Sequence, residues 1–397
     1  MSLAALFLAG LCAGVVVHAT AVLSLAVQRR RARAFSRHPF APPVSVVKPL
    51  SGLDAELETN LESFYAQDYP DFEVIFSFAS ESDPAFAVAR RVADRHPGVA
   101  SIFVVDPREP GRNAKVNRLA AGLRRARGRY FVFSDGDVRV PTDYLARAVS
   151  WFADPRVGLV SHLFRSVGAS SAGARLESLY LDGVLRPAIA AFAAVLRKPC
   201  VVGKSIVLSR SAWNAIGGLA PLKDYLAEDF LMGRLVARAG YRVELSADEI
   251  EAVSGSKACG SVWRRHRRWA MLRSRLGGPY YATEALASPT LCLAGAALAS
   301  RFAPGALALA LCLWVLRAAS EAVALRGARP GFSIMDLALL PLRDAAVAVL
   351  FWAGLLGRRT RWRGRSLRVG PGTRLEDDRR SSKPDVWNRN KIRPEAA

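Results

Sequence analysis

Two carboxylates stand two residues apart in Tyr130-Phe131-Val132-Phe133-Ser134-Asp135-Gly136-Asp137, where an apolar strand pattern runs out. Such a pair suits a divalent cation shared with a diphosphate. A hard ion such as Mg2+ takes one or two protein carboxylates and completes its shell with water and phosphate oxygens. Asp-Gly-Asp is also an ordinary turn sequence. Further on, Leu226-Ala227-Glu228-Asp229-Phe230 opens an amphipathic helix with two acids. Helix-dipole complementarity accounts for acids in a first turn; the chemical account makes one of them a general base that takes a proton from an attacking hydroxyl. A third group, Trp263-Arg264-Arg265-His266-Arg267-Arg268-Trp269, directly precedes an apolar region. It reads as a diphosphate clamp, an anionic-lipid anchor or a nucleic-acid patch, and tryptophan beside arginine at the start of an apolar region favours the first two.

These residues need elements to bring them together. Short apolar runs at Val44–Val47, Phe72–Phe78, Ser101–Val105 and Tyr130–Ser134 read as strands, with helical patterns at Ala55–Gln67, Pro84–Arg95, Ala114–Arg127 and Thr142–Ala153 between or after them. Further strands are expected at Gly158–Leu163, Val201–Leu208 and Tyr241–Leu245. Repeated β-α-β spacing predicts an α/β fold with a mostly parallel sheet, helices on both faces, and ligands at the carboxyl ends of the strands.

Apolar segments flank this soluble region, expected over 42–276. From Ser2 to Val27 the only ionisable side chain is His18, enough length to span a bilayer, and Arg29, Arg30, Arg31 and Arg33 follow. That order opposes a cleaved signal peptide and puts the following domain in the cytoplasm, with 1–28 as an anchor. Three apolar stretches return within 282–357: Ala282–Ser300, Phe302–Leu325 and Ile334–Leu356. The last carries Asp336, Arg343 and Asp344, charges that are costly in a membrane unless paired, and is the least secure span. Three crossings in total are expected, followed by a basic cytoplasmic tail over 358–397 with 13 Lys/Arg and 5 Asp/Glu.

Lys+Arg 56 against Asp+Glu 34 gives a formal net charge of +22, which points to an anionic partner. Much of the excess lies beside apolar segments, so an anionic membrane surface explains it without nucleic acid. The five cysteines form no C-x-x-C pair and the five histidines no ligand spacing, so neither disulfides nor zinc are implied. Gly203-Lys204-Ser205 lacks the upstream glycine of a phosphate loop, and no G-x-S-x-G elbow occurs.

Taken in order, Val46-Val47-Lys48-Pro49-Leu50-Ser51-Gly52, Asn60-Leu61-Glu62-Ser63-Phe64, Asp68-Tyr69-Pro70, Ser82-Asp83-Pro84, Gly111-Arg112-Asn113-Ala114-Lys115-Val116-Asn117, Asp135-Gly136-Asp137, Glu228-Asp229 and Arg265-x-x-Arg268-Trp269 make a series. From about Val44 to Trp269 the chain resembles the membrane-bound ceramide glucosyltransferases, inverting nucleotide-sugar-dependent enzymes with a GT-A, Rossmann-like fold. The resemblance implies Asp83 near the uridine, and Asp135 with Asp137 on a metal, Mg2+ or Mn2+, and the diphosphate. It implies Lys48, Pro49, Lys115 and Asn117 around the nucleotide-sugar. Asp229, beside Glu228, would be the base, and Arg265, Arg268 and Trp269 would line the diphosphate and acceptor mouth. The implied donor is UDP-glucose or another UDP-sugar. Where the animal enzymes carry His-Pro-Arg, this chain reads Val184-Leu185-Arg186-Pro187, which keeps ceramide, a hopanoid polyol and diacylglycerol open as acceptors. The Ala/Arg-rich composition is compatible with a bacterial, GC-rich source, and with the membrane segments the expected location is a bacterial inner membrane. A processive polysaccharide synthase shares the acidic series but calls for more membrane helices, and a lipid-binding scaffold would carry charge without ordered acids.

Overall fold

The computed structural model describes residues 2–35, 40–198, 200–329, 332–362 and 365–378. One eight-stranded sheet organises the region between the apolar segments. Its strands are β1 (Val44–Pro49), β2 (Phe72–Phe78), β3 (Ala100–Val105), β4 (Tyr130–Ser134), β5 (Val138–Arg139), β6 (Val157–Val167), β7 (Ser205–Ser209) and β8 (Arg242–Val253), in the order β3-β2-β1-β4-β7-β6-β8-β5. The first four run parallel, as the β-α-β spacing requires; β7 enters antiparallel to both β4 and β6, and β5 pairs antiparallel with β8.

Alternation along the strands loads both faces of the sheet. Val46, Val74, Phe76 and Val132 pack one way, with the helices Leu57–Tyr65, Pro84–Arg95 and Tyr144–Ser150. Val47, Ile75, Phe131 and Phe133 pack the other way, with Ala114–Leu123, Arg210–Ala215 and Glu228–Arg238. Fully buried rings such as Phe76 and Phe133 are each worth about 2–3 kcal/mol of transfer free energy. Every expected strand is found. The expected run Val201–Leu208 becomes strand only from Ser205, because the preceding residues form a loop over the carboxyl edge of the sheet.

Among the described residues three helices are long and apolar enough to cross a membrane: Leu3–Arg33, Pro304–Ala328 and Asp336–Leu356. The irregular piece lies elsewhere than the sequence pattern suggests. Gly278–Ala285 and Pro289–Ala299 meet at a 64° bend, whereas the least secure stretch on charge grounds contains the regular helix Leu340–Leu356. Its charges are paired. Glu321 accepts hydrogen bonds from Arg317 (2.8 Å) and from two nitrogens of Arg343; Arg343 also donates to Asp344 (2.6 Å), whose second oxygen accepts from Thr290 Oγ1 (2.6 Å). All four charged side chains are buried, as the cost of an unpaired charge demands.

The first helix, Leu3–Phe35, is 33 residues and so about 50 Å long, more than a bilayer core needs. Its excess length docks on β8, where Arg29 reaches Glu249 (2.9 Å) and Arg31 reaches Glu244 (2.9 Å). At the other end, the described residues of the expected tail, 358–362 and 365–378, are structured. β9 (Arg359–Trp362), β10 (Arg365–Val369) and β11 (Leu375–Asp377) form an antiparallel sheet whose Leu367, Val369 and Leu375 pack on Leu226. Residues 379–397 of that tail lie outside the described residues.

Candidate active site

The acids of the Asp-Gly-Asp turn sit where β4 leaves the sheet, and their setting comes from strand register. β7 begins with Ser205 opposite Ser134, so the loop before it faces the turn; Asp135 N donates to Lys204 O (3.1 Å). Lys204 Nζ thereby reaches Asp137 Oδ2. Burial opposes ionisation of Asp137, but Lys204, joined by Arg265 and Lys257, outweighs it and holds the carboxyl below the usual range. Asp137 Oδ1 is buried with no hydrogen-bond partner. Asp135 is partly open, and its Oδ1 meets Lys115 Nζ at 2.7 Å. A buried, unpartnered carboxylate oxygen beside a second accessible carboxylate fits a divalent ion that draws its remaining ligands from water and diphosphate. Among the described residues no group of three or more His, Cys, Asp or Glu side chains could hold such an ion alone.

Lys115 joins this turn to the second acidic pair. Besides Asp135, its ammonium donates to Gly203 O (2.9 Å) and lies 3.6 Å from Glu228 Oε1. Burial would lower the pKa of Lys115, yet Asp135, Glu228 and Asp229 raise it above the ordinary value, so the lysine stays charged. The first turn of Glu228–Arg238 holds both acids. Glu228 is the more enclosed: Asn113 Nδ2 donates to its Oε2 (3.0 Å), and burial pushes it up to about 7 against the pull of Lys115. Asp229 is partly exposed and is also raised, by burial first, with Lys115 opposing. Its Oδ1 accepts from Phe230 N (2.8 Å), and a Cβ on Gly203 would come within 2.9 Å of its Oδ2. A side chain at this position would have to displace the Asp229 carboxylate and the Lys115 ammonium, 3.2 Å away.

Other expected residues support the cleft from behind. Lys48 is completely buried at the end of β1, beside the buried Pro49; its ammonium bonds Asp135 O (3.0 Å) and Ser134 Oγ (3.3 Å) and lies 3.6 Å from the Phe64 ring centroid. Burial lowers its pKa to about 7 despite three nearby aspartates. Asp83 caps the helix Pro84–Arg95 through Ala85 N (3.0 Å) and clamps Gly52 N with both oxygens (2.9 and 3.1 Å). Gly52 has φ +72°, the left-handed turn that swings the loop round to Asp54. Asn117 is buried and exchanges two hydrogen bonds with Gly111 (3.0 and 2.8 Å), pinning the turn that presents Lys115.

The helix Cys259–Leu276 carries Arg265, Arg268 and Trp269. Arg265 lies 5.9 Å from the Trp269 ring centroid and donates to Glu177 Oε1 (3.2 Å). Glu177, buried, also takes Lys257 (2.7 Å) and His266 (3.2 Å). Burial works against its ionisation, but these partners outweigh it and bring the carboxyl down to about 2.

Sequence reasoning missed several members of this constellation. Lys204 stands in an incomplete phosphate-loop pattern, and Lys257 and Glu177 stand in no motif. Asp54, whose carboxyl is pushed up to about 6 by burial and then by Asp137, stands two residues past the Lys48-to-Gly52 motif. Asn113 lay within a recognised motif without a role.

The profile of glycosyl transferase family 21 matches residues 6–375, and the chain belongs to that family. Ceramide glucosyltransferase 1 of Caenorhabditis elegans is 29% identical over 236 residues, covering 59% of this chain and 50% of that protein. A ceramide glucosyltransferase of Komagataella phaffii is 30% identical over 194 residues, 44% of this chain and 38% of its own length. The chain thus spans about half the length of the first of these relatives. Among solved structures, a mannosyltransferase from Pyrobaculum calidifontis in complex with GDP-Man and Mn2+ aligns at TM-score 0.44 and 24% identity, over 88% of this chain and 99% of that one. The expected α/β class with a mostly parallel sheet stands, and the acids lie at the carboxyl edge of its parallel half.

Proposed function

We propose that this protein transfers a hexose, glucose foremost, from a UDP-sugar to the primary hydroxyl of a membrane lipid, ceramide foremost, with inversion at the anomeric carbon. The observation that carries the reading is the span of Lys115, which touches Asp135 on one side and lies beside Glu228 on the other. A donor-phosphate site and a base must be neighbours in a direct displacement, and one lysine here spans both.

Asp229 takes the proton of the lipid hydroxyl. The hydroxyl oxygen forms the new bond to the anomeric carbon while the bond to the diphosphate oxygen breaks on the opposite side. A carboxylate with a raised pKa is a better base near neutral pH than an ordinary aspartate. Lys204, Lys257 and Arg265 supply positive charge around the departing diphosphate. Asp135 and Asp137 would hold Mg2+ or Mn2+, which neutralises diphosphate charge when bound. The acceptor arrives from the bilayer, since apolar helices flank the domain, and the site faces the cytoplasm, where nucleotide sugars are made.

The test is incubation of the purified protein with radiolabelled UDP-sugars, Mg2+ or Mn2+, and ceramide, diacylglycerol or a hopanoid polyol. Label from UDP-glucose in a single-sugar ceramide product is expected. A polymeric product would replace the reading with a polysaccharide synthase, and metal-independent absence of UDP binding would remove transfer altogether.

A further inference from the structure

A second basic site lies away from the carboxylate cleft. A cavity of about 890 Å3 opens where the last apolar helix ends, with Arg112, Arg267, Arg358, Arg359, Arg368 and Arg374 in its walls. These arginines come from the turn before Lys115, from the tryptophan–arginine helix and from the C-terminal sheet, so only the tertiary fold gathers them. On the helix Cys259–Leu276, Arg267 projects about 200° from both Arg265 and Trp269, away from the Glu177 cluster.

Three acids share the walls and do not balance the charge. Asp377 meets Arg112 (2.7 Å), Asp378 meets Arg359 (3.3 Å), and Glu376 lies 4.0 Å from Arg368. Among the described residues no carboxylate lies within ion-pair distance of Arg267, Arg358 or Arg374, and Arg112 Nε is buried without a hydrogen-bond partner. One edge of the cavity is apolar: Leu356, the last residue of Leu340–Leu356, is 77% exposed. Among the described lining side chains there is no aromatic ring on which a nucleobase could stack.

We propose that this cavity binds the phosphate of an anionic phospholipid headgroup, with its glycerol and acyl chains leaving past Leu356. Uncompensated guanidinium groups at the end of an apolar helix match the chemistry of such a lipid, phosphate in the pocket and hydrocarbon on the helix. The bound headgroup would bear on catalysis through position. The C-terminal sheet holds the strap before Glu228 by Leu375 N to Asp224 O (2.7 Å) and Leu226 N to Thr373 O (3.0 Å).

The test is binding of dioctanoyl-phosphatidylglycerol to the full-length protein in neutral detergent, which does not depend on the sugar or acceptor. Saturable binding is expected, weakened roughly tenfold or more in R267Q/R358Q/R374Q. The charge-conserving R267K/R358K/R374K should bind more tightly than the glutamine variant yet more weakly than the wild type, since lysine keeps the charge without the forked donor geometry, and both variants should keep the wild-type melting temperature, separating lost charge from lost fold. Equal affinity for dioctanoyl-phosphatidylcholine, unchanged binding in the glutamine variant, or inorganic phosphate binding as tightly as the lipid would overturn the proposal.

Discussion

The carboxylate cleft and the charged seam between the apolar helices both bury acids beside bases, and they differ in what is left over. In the seam every carboxylate oxygen of Glu321 and Asp344 has a donor. In the cleft Asp137 Oδ1 has none, and Glu228 and Asp229 are held at raised pKa. The seam leaves over a donor, Arg317 Nε, whereas the cleft leaves over a carboxylate oxygen and raised carboxyls, which keep capacity for a ligand and a proton. The difference lies in geometry rather than composition, since both regions use ordinary acidic and basic side chains.

The comparison can be broken most decisively at the turn. Asp135→Ala should abolish metal-dependent UDP binding, because only one or two protein carboxylates hold such an ion; isothermal titration with Mn2+ present checks this, and retained metal-dependent binding would reassign the ion. In the seam, Glu321→Gln strands Arg317 and leaves Arg343 with Asp344 as its ion-pair partner, and should cost about 3–5 kcal/mol of stability, the usual result of removing one partner of a buried pair. A melting temperature like the wild type's would show that these ion pairs do not hold the helices together.

Asp229→Asn sharpens the contrast from the other side. It should leave UDP-sugar binding near normal and the fold intact while lowering turnover by about 10²-fold or more, as loss of a general base does. Equal loss of donor binding would take Asp229 out of that role. The smallest effect concerns pH. Glu228 is raised from 4.5 to about 7 on folding, so between those values the folded state holds a proton that the unfolded state has lost. Stability should therefore fall as pH rises through that window and level off above it. Glu228→Gln should flatten this part of the melting-temperature profile, and a profile unchanged by the substitution would mean that Glu228 titrates normally.

What the chain's order alone determined is local. The strand runs, the Asp-Gly-Asp turn at the end of β4, the acids opening Glu228–Arg238 and the apolar segments are legible because each depends on periodicity or on neighbours within a turn or two. The tertiary structure decided everything that depends on register across the sheet. Lys204 reaches Asp137, 67 residues away, because β7 runs antiparallel to β4 and starts at Ser205. Glu177 gathers Lys257, Arg265 and His266 from 80 to 89 positions further along. The basic stretch from Arg358 looked like a tail because its strands bury few apolar residues, and it needs Leu226 to complete their cluster. Lys48 and Asn117, which the family resemblance puts around the nucleotide-sugar, bond to backbone behind the cleft, since which way a side chain points is settled only when the surrounding elements close around it.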